Sequence, residues 1–151
     1  MLENPKSTAR IADHPIHPML IPFPIAFLVG TLVSDLIYWQ TTDAFWATAS
    51  VYLLVAAIIA AALAAVAGFI DFFGDRRIRG LSHAWQHMIG NVIAVLLTIV
   101  NLLIRLGDPE GAIVPVGLII SAAVGILLLF TGWRGGDLVY RHRVGIPNQG
   151  V

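Results

Sequence analysis

The sequence predicts an all-α membrane protein, an up-down-up-down bundle of four transmembrane helices with both termini in the cytoplasm. Three observations lead there. The 151 residues are 58% hydrophobic and only 12% charged, against about 25% charged in an ordinary soluble domain. Mean hydropathy is +0.83. Four apolar stretches, 19–39, 46–72, 83–104 and 112–133, each reach the length of about 20 residues that crosses a hydrocarbon layer about 30 Å thick. The links alternate in charge: QTTDAF has no basic residue, GDRRIRG has three arginines, and RLGDPEG has one. Four spans bring both termini and the second link to one side, which then holds Lys6, Arg10, Arg76, Arg77, Arg79, Arg134, Arg141 and Arg143, eight of the nine basic residues. The positive-inside rule makes that side cytoplasmic.

The N-terminal segment, 1–18, is polar or mixed, and its lack of a small-residue cleavage site leads us to expect no cleaved signal peptide. It ends in DHPIHP, residues 13–18. Proline lacks an amide hydrogen and turns the preceding residue away from helical geometry, so His14 and His17 are expected in extended or turn conformation before the first helix. Pro22 and Pro24 should loosen the first turn of span one. Asp35, in the outer part of that span, is an ionisable group at membrane depth. It is expected to snorkel or to bond Ser34, Tyr38 or a neighbouring helix, with Arg105 as the ion-pair partner that the topology allows.

Span two carries Ala56, Ala60, Ala64 and Gly68 at four-residue spacing, a small-residue stripe for close helix packing inside the bundle or in a homo-oligomer. Asp71 and Asp75 follow where the span leaves the membrane, with Arg76 or Arg134 as structural partners for Asp71. In span three, Ser82 is a candidate cap, and His83, His87 and Asn91 share one face. Gly132 and Gly136 mark the end of span four, and residues 134–151 form a cytoplasmic tail. Trp39, Trp46, Trp85 and Trp133 fall at span ends, as interfacial indoles do.

All five histidines, His14, His17, His83, His87 and His142, lie on the cytoplasmic side of this topology, together with Asp71, Asp137 and Tyr140. One reading is a pocket at the inner mouth of the bundle that binds haem b or a divalent transition metal. His14, His17 and His87 are its metal-ligand candidates, Asp71 orients a ring, and His83, His142 and Tyr140 stand nearby. The other reading is structural: half-polar side chains are comfortable at headgroup depth, and His142 in RHR suits a basic tail on anionic lipid. Cysteine is absent, which excludes disulfides, thiolate metal sites and cysteine-held clusters, so redox chemistry would use histidine or a partner.

Four stretches, HPIHPMLIPFPIA, GFIDF, HAWQHMIGN and GGDLVYRHRVG, together resemble the DUF2231 family of bacterial membrane proteins, from about Asp13 to Val144. The resemblance implies a four-helix inner-membrane protein. It matches His14 and His17 to the opening histidine-proline motif, Asp71 to the acid closing span two, His87 to the histidine opening span three, and Gly135, Gly136 and Tyr140 to the exit of span four. Some relatives carry fused Rieske-type iron–sulfur domains, which implies a place near membrane electron transfer. The chain departs from the pattern at Arg143, where the closing motif has glycine.

Two functions follow. The first is a haem b or metal protein in membrane electron transfer, with a membrane or soluble redox partner. The second is a non-catalytic anchor or subunit that docks a partner protein through its cytoplasmic rim. A transporter has only Asp35 to support it. Enzyme motifs are lacking: there is no phosphate loop and no serine nucleophile motif, and Ala84 stands where a zinc protease would need glutamate between His83 and His87. The net charge of zero says nothing about nucleic acid or acidic partners, and no nucleic acid is expected as a partner.

Overall fold

The computed structural model describes residues 4–148. A two-stranded hairpin, β1 (Arg10–Ile11) and β2 (His14–Pro15), leads into α1 (Ile16–Leu20) and α2 (Pro22–Thr41). Then come α3 (Ala44–Gly74), the short α4 (Arg76–Arg79), α5 (Ser82–Arg105), the short α6 (Pro109–Ala112) and, after a kinked turn over Ile113–Gly117, α7 (Leu118–Tyr140). Four helical stretches are long and apolar enough to span a membrane: Ile16–Thr41, Ala44–Gly74, Ser82–Arg105 and Pro109–Tyr140. Each contains one of the expected spans and extends beyond it. The two ends of the described chain meet at one end of the bundle, where the Gly145 amide donates to Pro5 O (2.9 Å) and Asn4 Nδ2 donates to Ile146 O (3.2 Å).

The first span differs most from expectation at its start. Pro15 is the extended residue before α1, and His17 and Pro18 lie within that helix, not before it. Pro18 is tolerated because the first amides of a helix have no intrahelical acceptor. His14 remains extended, in β2. The hairpin turns through Ala12 (φ 47°) and Asp13 (φ 63°), both in the left-handed region that a two-residue hairpin demands. At Ile21, α1 gives way to α2, where Pro22 and Pro24 leave the carbonyls four residues back without donors.

Span ends also shift. Ser82 opens α5 as a helical residue rather than its cap; Leu81 holds the cap position without a side-chain bond. Carboxylates cap elsewhere: Asp43 accepts from Phe45 N (2.9 Å), and Asp75 accepts from Arg77 N (2.9 Å). The last helix does not stop near Gly132. It runs on to Tyr140, so Gly135, Gly136 and Asp137 are helical.

The bundle buries polar side chains and exposes apolar ones. Leu129 (78%), Tyr52 (71%) and Ile126 (70%) are exposed, whereas Asp35 and Arg105 are at 0%. This inversion suits a lipid-facing surface, where the apolar exterior carries no hydration cost. Arg105 donates to Asp35 through Nη1 (2.5 Å) and Nη2 (2.8 Å), so Asp35 is paired across helices rather than snorkelling. Ser121 Oγ donates to Asp35 (2.6 Å), Arg105 Nη1 donates to Ser50 Oγ (2.6 Å), and Asn101 Oδ1 accepts from Arg105 Nε (3.0 Å). One ion pair thus ties α2, α3, α5 and α7 together at the end away from the termini. The apolar core lies between, around Leu28, Leu54, Ala57 and Val124, and a second cluster of Phe72, Ile78 and Ala84 closes the terminal end.

Candidate functional site

His17 and His87 come together inside the terminal end of the bundle. His17, on α1, points its Nδ1 at Ala64 O of α3 (2.7 Å). His87, on α5, points its Nδ1 at Thr131 O of α7 (2.8 Å). A carbonyl only accepts, so each Nδ1 carries the hydrogen, and in the neutral ring the lone pair sits on Nε2. The ring centroids are 6.1 Å apart and the planes cross at 88°. Asn91 Nδ2 donates to His87 O (2.7 Å) and also lies 3.3 Å from His87 Nε2.

Two glycines make room for these rings. A Cβ on Gly68 would lie 2.9 Å from His17 Cε1, and one on Gly135 would lie 3.0 Å from His87 Cε1. Gly135 therefore serves close approach of an imidazole. In the small-residue stripe, Ala64 and Gly68 seat α1 through His17, while Ala56 and Ala60 line an apolar groove with Leu20, Phe23 and Phe27.

Other candidates lie apart from this pair. His14 is exposed and its Nδ1 meets Ala12 O (2.7 Å) within the hairpin. Asp71, expected to orient a ring or to pair with an arginine, instead accepts from the Thr8 and Ala9 amides (both 2.7 Å) and from Ser7 Oγ (2.9 Å). It pins the N-terminal segment to the end of α3, because two backbone amides there have no strand or helix partner and a carboxylate satisfies both. Tyr140 is 84% exposed and faces outward. Among the described residues no three histidine or acidic side chains are grouped so as to hold a metal ion, so His14 does not join His17 and His87 in a metal triad.

His83 and His142 form a second pair, with His142 Nε2 3.1 Å from His83 Nδ1. His83 Nε2 faces Asp137 Oδ2 at 3.6 Å. Asp137 Oδ1 accepts from Arg141 Nε (2.9 Å) and Oδ2 lies 3.5 Å from Arg134 Nη1. The side chain of Asp137 is 7% exposed, yet its Oδ2 has no hydrogen-bond partner, and neither does the buried Nε of Arg134. Arg143 adopts φ 53°, the left-handed conformation that glycine favours, and Val144 N donates back to Leu138 O (3.0 Å).

Some contributors have no side-chain signal in the sequence. The carbonyls of Ala64 and Thr131 set the tautomers of the paired histidines, and backbone groups leave no mark on residue type. Asp137 is legible in the sequence as an acid at the exit of span four, one helical turn before Arg141, but its contact with His83 is not.

No curated protein and no solved structure matches the chain significantly. The family model for DUF2231, described as a predicted membrane protein, matches residues 13–148. That span covers every element from the hairpin turn to the tail, and the chain belongs to the DUF2231 family of membrane proteins.

Proposed function

We propose that the protein is an inner-membrane b-type haem protein with cytoplasmic termini, in which His17 and His87 would hold the haem iron. The observation that carries this reading is the pair of imidazoles from different spans, each with Nδ1–H held by a helix carbonyl and Nε2 left as a donor to metal. The 6.1 Å between the ring centroids would leave room for one metal atom bound by a nitrogen of each ring, with metal–nitrogen bonds of about 2 Å. The donor set also favours haem over a bare divalent metal: zinc and its neighbours take three or four protein ligands, whereas a porphyrin brings four nitrogens and asks the protein for two.

Bound haem would supply one-electron redox chemistry. The chain's own residues would hold it: His17 and His87 as ligands, Ala64 O and Thr131 O fixing their tautomers, and Gly68 and Gly135 leaving space beside each ring. The concentration of eight basic residues toward the terminal end supports cytoplasmic termini, and a cytoplasmic or membrane redox partner would meet the haem there.

Purification after expression with a haem precursor, followed by the visible spectrum and a pyridine haemochrome assay, tests the reading. A Soret band is expected, lost in His17→Ala and in His87→Ala and kept in His14→Ala. No Soret band in the wild type, or haem retained by both ligand variants, would overturn it. The partner-docking alternative draws on one observation, the hydrogen-bonded cap formed by the N-terminal segment and the tail. A stable complex that forms equally well with His17→Ala would favour that alternative.

A further inference from the structure

We propose that His142, His83 and Asp137 form a proton relay that takes up one proton when the haem held by His17 and His87 is reduced. The proposal rests on that reading of the haem site. His83 is bridged on both sides: its Nδ1 lies 3.1 Å from His142 Nε2 and its Nε2 lies 3.6 Å from Asp137 Oδ2. An imidazole so placed accepts a proton at one nitrogen and releases another from the opposite nitrogen. His142, in the tail, is the outer member; Asp137 is the inner one.

The unpartnered Oδ2 of Asp137 gives the relay its direction. A buried carboxylate oxygen without a donor is costly, and the groups nearest to supplying one are His83 Nε2 at 3.6 Å and Arg134 Nη1 at 3.5 Å. Neither makes a hydrogen bond at these distances. A small ring movement or one bridging water closes the gap to His83. The titratable groups recorded against His83 are Asp137 of α7 and His142 of the tail; Arg134 and Arg141 of α7 act on it through Asp137, while α3 and α4 contribute Phe72 and Ile78 to the cluster around Ala84.

Coupling to the haem follows from helical spacing. His83 precedes His87 by one turn of α5, which sets their Cβ atoms about 6 Å apart. Reduction adds one negative charge at the iron and so favours an imidazolium one turn away. Bound haem would gain one electron from an external one-electron donor, and one proton from the aqueous phase would enter at His142 to balance the charge. It remains on the His142–His83 pair opposite the Asp137 carboxylate, and the net charge of the site is unchanged.

Spectroelectrochemical titration of the haem protein in nanodiscs, from about pH 5.5 to 8.5 where imidazole titrates, tests this. In the wild type the midpoint potential should fall as pH rises, and reduction in unbuffered medium should take up about one proton per haem. His83→Gln and His142→Gln should each cut both quantities at least by half; His142→Gln, outside the helices, guards against a folding defect. Asp75→Asn serves as the control and should retain both. Haem binding with a pH-independent midpoint, or with an unchanged slope in both glutamine variants, overturns the relay alone. Absence of haem overturns the relay together with the haem reading.

Discussion

Asp35→Asn should destabilise the protein by about 3–5 kcal/mol, the range for breaking a buried ion pair by removing one partner. Both partners are at 0% exposure, so neither charge can be rehydrated in place. The carboxylate accepts from Arg105 Nη1 (2.5 Å), Arg105 Nη2 (2.8 Å) and Ser121 Oγ (2.6 Å). Each bond to a charged group contributes about 1.5–3 kcal/mol, and relief of the carboxylate's own desolvation offsets part of the sum. Asparagine keeps the shape but turns an amide donor toward a guanidinium. At about 2–4 °C per kcal/mol for a chain of this size, the melting temperature should fall by roughly 6–20 °C. Tryptophan fluorescence in detergent suits the measurement, since the chain has four tryptophans and no cysteine. Asp35→Asn combined with Arg105→Met should be more stable than Asp35→Asn alone, because no unpaired charge remains. A single-variant loss under about 0.5 kcal/mol, the size of a neutral surface change, or a double variant as unstable as the sum of the singles, would refute the reasoning.

Gly135→Ala places a methyl 3.0 Å from His87 Cε1; it should cost about 1–3 kcal/mol by overpacking and lower haem content, read by pyridine haemochrome, with full occupancy as the contrary result. Arg143→Gly relieves a left-handed φ of 53° and should stabilise the tail by about 1 kcal/mol, seen as a higher melting temperature. Asp75 is held well below the usual carboxylate range, chiefly by the Arg77 side-chain hydrogen bond. A lowered folded-state value means that the unfolded chain binds more protons, so this contribution is present above about pH 4 and is lost as pH falls further. Asp75→Asn should therefore flatten the acid limb of a stability profile, and an unchanged limb would count against the pairing.

The four spans were legible because length and hydropathy are local properties that no tertiary contact can override. The convergence of histidines on the terminal end followed from counting spans. The pairing within that group did not. His14 and His17 stand three residues apart in one motif, yet Pro15 caps α1 between them, so one ring stays on the hairpin and the other turns inward to Ala64. Asp71 looks like a metal-site acid by position, but the amides of Thr8 and Ala9 claim it. Gly135 reads as part of the glycine-rich exit of span four until the ring of His87 is seen against it. Arg105 and Asp35 were linked by topology alone, whereas the participation of Ser50, Asn101 and Ser121 needed the packed bundle.

The sequence by itself determined a four-span membrane protein of the DUF2231 family, with both termini at one end and its histidines gathered there. Only the tertiary structure decided that His17 meets His87, that His142 and His83 lead to Asp137, and that Asp35 is fully enclosed. The reason is rotational. The spans are apolar on nearly every face, so hydropathy says where each helix begins and ends but hardly which way it turns about its axis. That angle is set by small residues and buried polar bonds contributed by neighbouring helices.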